Sequence, residues 1–172
     1  MDMKIVFVGY MASGKSAIAR AVSAQLGLEL IDLDAYIEAK EDALISQLFE
    51  DKGEIYFRKK EHEYLKEILS FETSFVLSVG GGTPCFSGNM ELILEKSISF
   101  YLRANVQTIY SRLQNEKEKR PLVEAIKDTD LHEFIGKHLF ERAAFYDQSN
   151  HAVSVNDKSI QEISKEIIEL LA

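Results

Sequence analysis

The sequence has one cysteine, no apolar run long enough to span a bilayer, and no excess of basic residues. The single cysteine, Cys85, excludes an internal disulfide and is typical of a reducing compartment. The chain starts without a basic region or a cleavage site, so we expect a cytoplasmic protein that does not contact membranes. A net charge of -8 argues against nucleic-acid binding, which needs a basic face.

What the sequence does contain suits one globular domain. With 172 residues, 46% of them hydrophobic, the chain can bury one core, and we predict a single domain over 1–172. No long heptad pattern or exposed apolar strip stands out, so we expect a monomer. Strand and helix patterns alternate, which predicts an α/β fold with a parallel sheet and helices on both faces. The predicted strands are 4–8, 28–32, 75–79, 98–102 and 152–155. The predicted helices are 15–26, one that starts after Asp34, 44–70 with a break at Gly53, 89–95, 106–114, 131–146 and 160–171.

A phosphate-binding loop follows the first predicted strand. Its sequence, "GYMASGKS", has the spacing Gly-x-x-x-x-Gly-Lys-Ser, in which the glycines allow backbone N–H groups to surround phosphates. A strand precedes the loop and a helix follows it, so a chance glycine-rich turn is the weaker interpretation. The loop therefore predicts a bound nucleoside triphosphate. The predicted nucleotide-binding residues are Gly9, Ala12, Ser13, Gly14, Lys15, Ser16 and Ala17.

Two acidic residues follow the second predicted strand. The chain has no Asn-Lys-x-Asp guanine motif and no Asp-x-x-Gly switch, which argues against a GTPase. Its third predicted strand lacks a terminal acid, so another carboxylate must support the metal. In "LIDLDAYIE", Asp32 and Asp34 are two apart and would point the same way in an extended segment. One carboxylate could support Mg²⁺ and the other could face an acceptor hydroxyl. Alternatively, Asp34 is a helix N-cap and Asp32 a solvated strand end.

The long helix over 44–70 has an arginine where a core residue is expected. In "GEIYFRKKEHEYLKEILS", Ile55, Leu65 and Leu69 form one stripe, and Arg58 lies on it. Glu61, three residues further on, is placed to hold the guanidinium.

The helix over 131–146 repeats this feature. Leu131, Ile135 and Leu139 form its inner stripe, and Arg142 continues the stripe. A charge on an inner stripe is costly unless it is paired or borders a cleft. Two such arginines indicate a planar anion, such as a carboxylate, held by bidentate hydrogen bonds. The alternative is that both arginines form structural ion pairs.

Two further features are predicted to lie at the same edge of the sheet. Gly80, Gly81 and Gly82 end the third strand, and three missing side chains would let a ligand lie on the backbone, although a flexible turn is the simpler alternative. Arg120 precedes Pro121 in a charged segment and could close over the phosphates as part of a lid; the alternative is a solvated loop.

Taken together, these stretches resemble shikimate kinase. The matching pieces are "GYMASGKS", "IDLDAYIE", "IYFRKKE", "SVGGGTP", "RLQNEKEKRPL" and "ERAAFY", in the order of that family. The resemblance implies a three-layer α/β/α P-loop NTPase fold with a five-stranded parallel sheet in the order 2-3-1-4-5. It also implies a shikimate-binding segment over about 34–62 and a lid over about 115–128. Tyr10 is a departure, since many members have a different apolar residue there.

The activity that the resemblance implies is transfer of the γ-phosphoryl group of ATP to the 3-hydroxyl of shikimate. Lys15 and Ser16 would serve ATP and Mg²⁺, Asp32 would support the metal through water, Arg112 would lie near the adenine, and Arg120 would close onto the phosphates. The last strand leads into "VNDKS", which has no clear adenine-contacting signature.

On the acceptor side, the resemblance implies that Asp34 binds the reacting hydroxyl of shikimate and takes its proton. Arg58, Arg142 and the glycines at 80–82 would hold the carboxylate and the ring hydroxyls. Lys15, Asp34 and Arg120 would then be the catalytic residues. Two alternatives stay open: another small-metabolite kinase of this fold, such as a gluconate or nucleotide kinase, and a regulatory module that binds nucleotide without catalysis.

Overall fold

The structure is a computed structural model that describes residues 2–116 and 121–172. The strands are β1 (Lys4–Val8), β2 (Glu29–Asp32), β3 (Phe75–Ser78), β4 (Ile98–Arg103) and β5 (His151–Ser154). The helices are α1 (Lys15–Leu26), α2 (Leu33–Glu41), α3 (Ile45–Leu69), α4 (Asn89–Lys96), α5 (Val106–Glu116), α6 (Pro121–Glu124), α7 (Asp128–Tyr146) and α8 (Ile160–Leu171). A short 3₁₀ turn, Thr83–Cys85, follows β3. The predicted strands are confirmed, with ends that differ by at most one residue.

The five strands form one parallel sheet in the order β2-β3-β1-β4-β5. The predicted order and direction are therefore confirmed. The central strands are covered on both faces, which is why β3 and all but the first residue of β1 are buried and why their sequences are apolar at nearly every step.

Right-handed crossovers place helices on both faces of the sheet. The connection from β1 through α1 to β2 runs in one direction across the sheet, and the connection from β3 through α4 to β4 runs in the other. Because such crossovers are right-handed, α1 and α4 cover opposite faces. Helix α8 packs beside α1, α3 packs beside α4, and α5 packs beside α7.

Helix α3 bends at Gly53, as the sequence predicts, and its buried face differs from the predicted stripe. Gly53 has φ 83° and ψ 170°, which interrupts the helix. Phe57, Glu61 and Leu65 are buried after this break, whereas Ile55 is 89% exposed. The prediction that Ile55 belongs to the inner stripe is therefore wrong. Arg58 lies at the edge of the buried face.

The start of α2 also differs from one alternative drawn from the sequence. Helix α2 begins at Leu33, and its N-cap is Asp32, whose Oδ1 accepts a hydrogen bond from the backbone N–H of Ala35 at 3.0 Å. Asp34 lies within the first turn, so the interpretation of Asp34 as the N-cap is wrong. Across residues 2–116 and 121–172, no helix combines the length and the apolar character needed to cross a membrane.

Candidate active site

Three chain segments meet at the carboxyl edge of the sheet. The last residue of β2, Asp32, is in register with Ser78 at the end of β3, and Ser78 also pairs with Phe7 of β1. The segments that follow these strands therefore start side by side: the phosphate loop, the first turn of α2, and the glycines at 80–82. Ligands of open α/β sheets bind at this edge.

The phosphate loop has the backbone geometry that its glycines permit. Gly9 has φ 156°, and a methyl group there would lie 2.9 Å from the carbonyl oxygen of Leu102. Gly14 has φ 92° and is the N-cap of α1 without a capping side chain. The positive end of α1 therefore faces the loop. The Lys15 ammonium donates hydrogen bonds to the carbonyl oxygens of Gly9, at 2.7 Å, and Tyr10, at 3.0 Å.

The carboxylate of Asp34 lies beside Gly80. A methyl group on Gly80 would meet Asp34 Oδ1 at 3.3 Å and Thr83 Oγ1 at 3.1 Å. Burial, together with the charges of Asp32 and Glu61, raises the pKa of Asp34 to about 6, while the Lys15 ammonium opposes the shift. A carboxylate that titrates near neutral pH is suited to accept a proton from a hydroxyl.

Arg58 is held at the edge of the site by a buried carboxylate and an aromatic ring. Its Nη1 donates a hydrogen bond to Glu61 Oε1 at 2.8 Å, and the side chain of Glu61 is only 1% exposed. Thr83 Oγ1 donates to the other oxygen of Glu61, also at 2.8 Å. The ring of Phe86 lies under the guanidinium, with Cζ 4.0 Å from the ring centroid. The predicted contact between Arg58 and Glu61 is confirmed.

Gly82 faces the same guanidinium. A methyl group there would lie 2.8 Å from Arg58 Nη2 and 3.0 Å from Nη1, too close for the two to coexist without displacement. Because Gly82 has no side chain, the end of the Arg58 guanidinium stays accessible to a ligand.

Arg142 lies beside the middle glycine of the three. A methyl group on Gly81 would meet Arg142 Nη1 at 3.3 Å and the backbone nitrogen of Met11 at 3.4 Å. Tyr146, one helical turn after Arg142, donates its hydroxyl to the carbonyl oxygen of Gly81. The three glycines thus border Asp34, Arg142 and Arg58 in turn, next to the phosphate loop. The structure brings together the residues that the sequence assigns to acceptor binding.

Arg112 contacts the phosphate loop from the other side. Its Nη1 donates a hydrogen bond to the carbonyl oxygen of Ala12 at 2.9 Å. A cleft of about 360 Å³ adjoins it, lined by α5 and the segment after β5. The lining residues are Gln107, Thr108, Ser111, Arg112, Asp157 and Lys158. Arg120, which the sequence assigns to the lid, lies outside the described residues.

The oxygens at the phosphate loop fit a hard divalent cation. Ser16 is exposed at the start of α1, and Asp32 uses Oδ1 as the cap of α2, which leaves its second carboxylate oxygen for another partner. A hydroxyl and a carboxylate are the ligand types that Mg²⁺ prefers. Within the described part of the chain, no group of three or more histidine, cysteine or acidic side chains could hold a metal.

A second, larger groove runs along α3 on the outer side of Arg58. It measures about 580 Å³ and is lined by residues of α3 together with Phe86 and Ser87. Neither Asp34 nor Arg142 is among its lining residues. We therefore place the candidate acceptor site at the glycines, where the titratable groups converge.

Sequence reasoning did not identify Thr83, Phe86 and Tyr146 as parts of the site. Their contacts join segments far apart in the chain, such as Tyr146 to Gly81, and no local spacing signals them. The available signal was proximity: Thr83 follows the three glycines directly, Phe86 comes three residues after Thr83, and Tyr146 lies four residues after Arg142.

Comparison with known proteins decides the family. The family model for shikimate kinase matches residues 11–172. The chain belongs to the shikimate kinase family. It is similar to a shikimate kinase from Flavobacterium psychrophilum, with 44% identity over 170 residues and 98% of each chain covered.

Solved structures of shikimate kinases agree with this assignment. A 1.7 Å crystal structure of shikimate kinase from Bacteroides thetaiotaomicron is 34% identical, with a TM-score of 0.92 and 98% of each chain covered. Shikimate kinase from Acinetobacter baumannii, in complex with shikimate, is 28% identical, with a TM-score of 0.89 and coverage of 99% of this chain and 93% of that one. The α/β P-loop kinase fold predicted from the resemblance to shikimate kinase is therefore confirmed.

Proposed function

We propose that this protein transfers the γ-phosphoryl group of ATP to the 3-hydroxyl of shikimate, giving shikimate 3-phosphate and ADP. Besides membership of the family, one observation supports the proposal: Asp34, Arg58 and Arg142 lie against the glycines at 80–82, beside the phosphate loop. A carboxylate of raised pKa, two guanidinium groups and open backbone suit an acceptor that has both hydroxyls and a carboxylate.

On the nucleotide side, the loop binds the phosphates through its backbone N–H groups and the N-terminus of α1. Lys15 turns its ammonium from the loop carbonyls to the β- and γ-phosphates. Ser16 and Asp32 would hold Mg²⁺, which would offset the charge of the phosphates. Arg112 borders the 360 Å³ cleft, which we assign to the adenine base.

On the acceptor side, Arg58 and Arg142 bind the carboxylate of shikimate, and the glycine backbone faces the ring. Asp34 accepts the hydrogen of the 3-hydroxyl. As the new bond forms between that oxygen and the γ-phosphorus, the bond to the β-phosphate oxygen breaks, ADP leaves, and the proton passes from Asp34 to water. The side chains contribute orientation and charge stabilisation, which phosphoryl transfer chiefly requires.

Other parts of the proposal concern the whole chain. Arg120 would close onto the phosphates with the segment over about 115–128, and that closure would exclude water that otherwise hydrolyses ATP. The protein would work as a single-domain monomer in the cytoplasm.

The test is ADP release in the presence of ATP and Mg²⁺, measured with shikimate, gluconate or a nucleoside monophosphate, and with no acceptor. We expect strong stimulation by shikimate alone. Stimulation by gluconate or a nucleoside monophosphate instead would identify the protein as a different metabolite kinase. Binding of ATP with no stimulation by any acceptor would favour a regulatory module.

A further inference from the structure

Tyr10 links the phosphate loop to helix α7 by its side chain. Its hydroxyl lies 2.8 Å from Nδ1 of His138, and the two rings meet edge to face with centroids 5.3 Å apart. Tyr10 is only 1% exposed, and the His138 ring also packs against Phe134 at 5.2 Å. The two partners are 128 residues apart in sequence, so this contact joins distant parts of the chain.

The same contact adjoins the candidate acceptor site. His138 and Arg142 are four residues apart on α7, and the Arg142 guanidinium lies over the Tyr10 ring, with Cζ 5.9 Å from its centroid. Arg142 in turn borders Gly81. The backbone carbonyl of Tyr10 accepts a hydrogen bond from Lys15. Tyr10 therefore contacts both Lys15, on the nucleotide side, and Arg142, on the acceptor side.

We propose that Tyr10 and His138 are positioning residues that hold α7 and Arg142 against the phosphate loop, so that nucleotide and shikimate binding strengthen each other through this contact. The inference rests on the proposed function, in which Arg142 binds the shikimate carboxylate. Phosphates bound by the N–H groups of the loop order its backbone, including Tyr10. The Tyr10 side chain then restricts α7, and less conformational entropy remains to be lost when shikimate binds.

The surroundings of His138 favour the neutral form of its ring. Burial lowers the pKa of His138, the charge of Arg142 lowers it further, and Glu141 opposes them. The imidazole is therefore neutral at pH 7.5, and in the tautomer that carries its proton on Nε2, Nδ1 accepts a hydrogen bond from the Tyr10 hydroxyl. Burial likewise raises the pKa of Tyr10 to about 12, which keeps that hydroxyl protonated.

The test compares shikimate affinity with and without ADP and Mg²⁺, by calorimetry at pH 7.5, in the wild type and three variants. Tyr10→Phe removes only the hydroxyl, and His138→Gln keeps a side-chain oxygen that can accept from Tyr10. Tyr110→Phe is the matched control, because the Tyr110 ring also meets a histidine of α7, His132, at 5.6 Å, away from Arg142. Thermal unfolding checks that each variant is folded.

We expect ADP to tighten shikimate binding in the wild type and the Tyr110→Phe variant. In Tyr10→Phe this tightening should fall about fivefold, the effect of one lost hydrogen bond, and in His138→Gln most of it should remain. Equal tightening in Tyr10→Phe and the wild type would overturn the inference while leaving the proposed function intact, as would an equal loss in Tyr110→Phe. If Tyr10→Phe does not fold, His138→Leu replaces it in the comparison. We then expect His138→Leu to lose the tightening by ADP and His138→Gln to keep it. Equal tightening in these two variants overturns the inference. No shikimate binding by the wild type would instead contradict the proposed function.

Discussion

Replacement of Asp34 by asparagine should stabilise the ligand-free protein while it abolishes phosphoryl transfer. Burial and neighbouring carboxylates raise the pKa of Asp34 from 3.8 to about 6, so the folded state holds the charged form at a cost. A rise of about 2 units corresponds to ~3 kcal/mol at pH values above 6. Because part of the side chain contacts solvent, we expect a gain of about 2 kcal/mol for Asp34→Asn at pH 8.

The pH dependence of this gain follows from the two pKa values. Above pH 6 the folded state carries an ionised Asp34 that the unfolded chain tolerates better, and the wild type is destabilised by the full amount. As pH falls from 6 towards 3.8, the folded carboxyl becomes protonated first, and the penalty disappears. The advantage of Asp34→Asn should therefore be largest at pH 8 and should shrink steadily by pH 5.

The measurement is urea or thermal unfolding of the wild type and Asp34→Asn between pH 5 and 8, with Asp51→Asn as the control. The Asp51→Asn substitution makes the same chemical change at an exposed position of α3. The expected rise in melting temperature at pH 8 is about 4–8 °C. No stabilisation, or a stabilisation that does not change with pH, would refute the conclusion that the folded state keeps Asp34 ionised at a cost in free energy.

Three further predictions concern Arg58 and its neighbours. Arg58→Lys should weaken shikimate binding at least about tenfold and ATP binding little, because lysine cannot form the bidentate contact; calorimetry with each ligand tests this, and equal losses would contradict it. Gly82→Ala should raise the KM for shikimate about tenfold or more with less effect on the KM for ATP, because its methyl group would lie 2.8 Å from Arg58 Nη2; steady-state kinetics with an unchanged KM for shikimate would argue against that contact. Phe86→Leu should raise the KM for shikimate about two- to fivefold by removing the ring under the guanidinium, and an unchanged KM would show that the ring does not orient Arg58.

The fold and the phosphate loop could be predicted because their signals are local. Buried parallel strands are continuously apolar, and the loop needs fixed residues at fixed spacing, so both can be identified within a few residues. The strand order came from the resemblance to a known family. The cleft beside Arg112 could not be predicted, since α5 and the segment after β5 meet only in the folded chain.

The misplaced stripe of α3 has a specific cause. The buried face includes Glu61, whose carboxylate is paired with Arg58 and accepts a hydrogen bond from the hydroxyl of Thr83. A hydropathy pattern treats every glutamate as exposed. The predicted inner stripe therefore left out Glu61 and included Ile55, which is exposed in the structure. Buried ionic contacts between distant segments are invisible to a periodicity that considers one helix at a time.

Asp32 and Asp34 show the limit of spacing as evidence. Both are good N-cap residues, and a helix start that differs by two residues exchanges their roles. The sequence predicted correctly that two carboxylates occupy this edge of the sheet. Only the structure shows that Asp32 caps α2 and that Asp34 contacts the glycine segment.

The most direct test of the central claim compares shikimate with its methyl ester as acceptors in the ADP-release assay. The ester keeps all three ring hydroxyls but lacks the negative charge that Arg58 and Arg142 are proposed to bind. We predict that kcat/KM for the ester is lower by about a hundredfold or more, since two charge-assisted contacts are lost. An ester that reacts as efficiently as shikimate would show that the two arginines do not bind the acceptor's carboxylate.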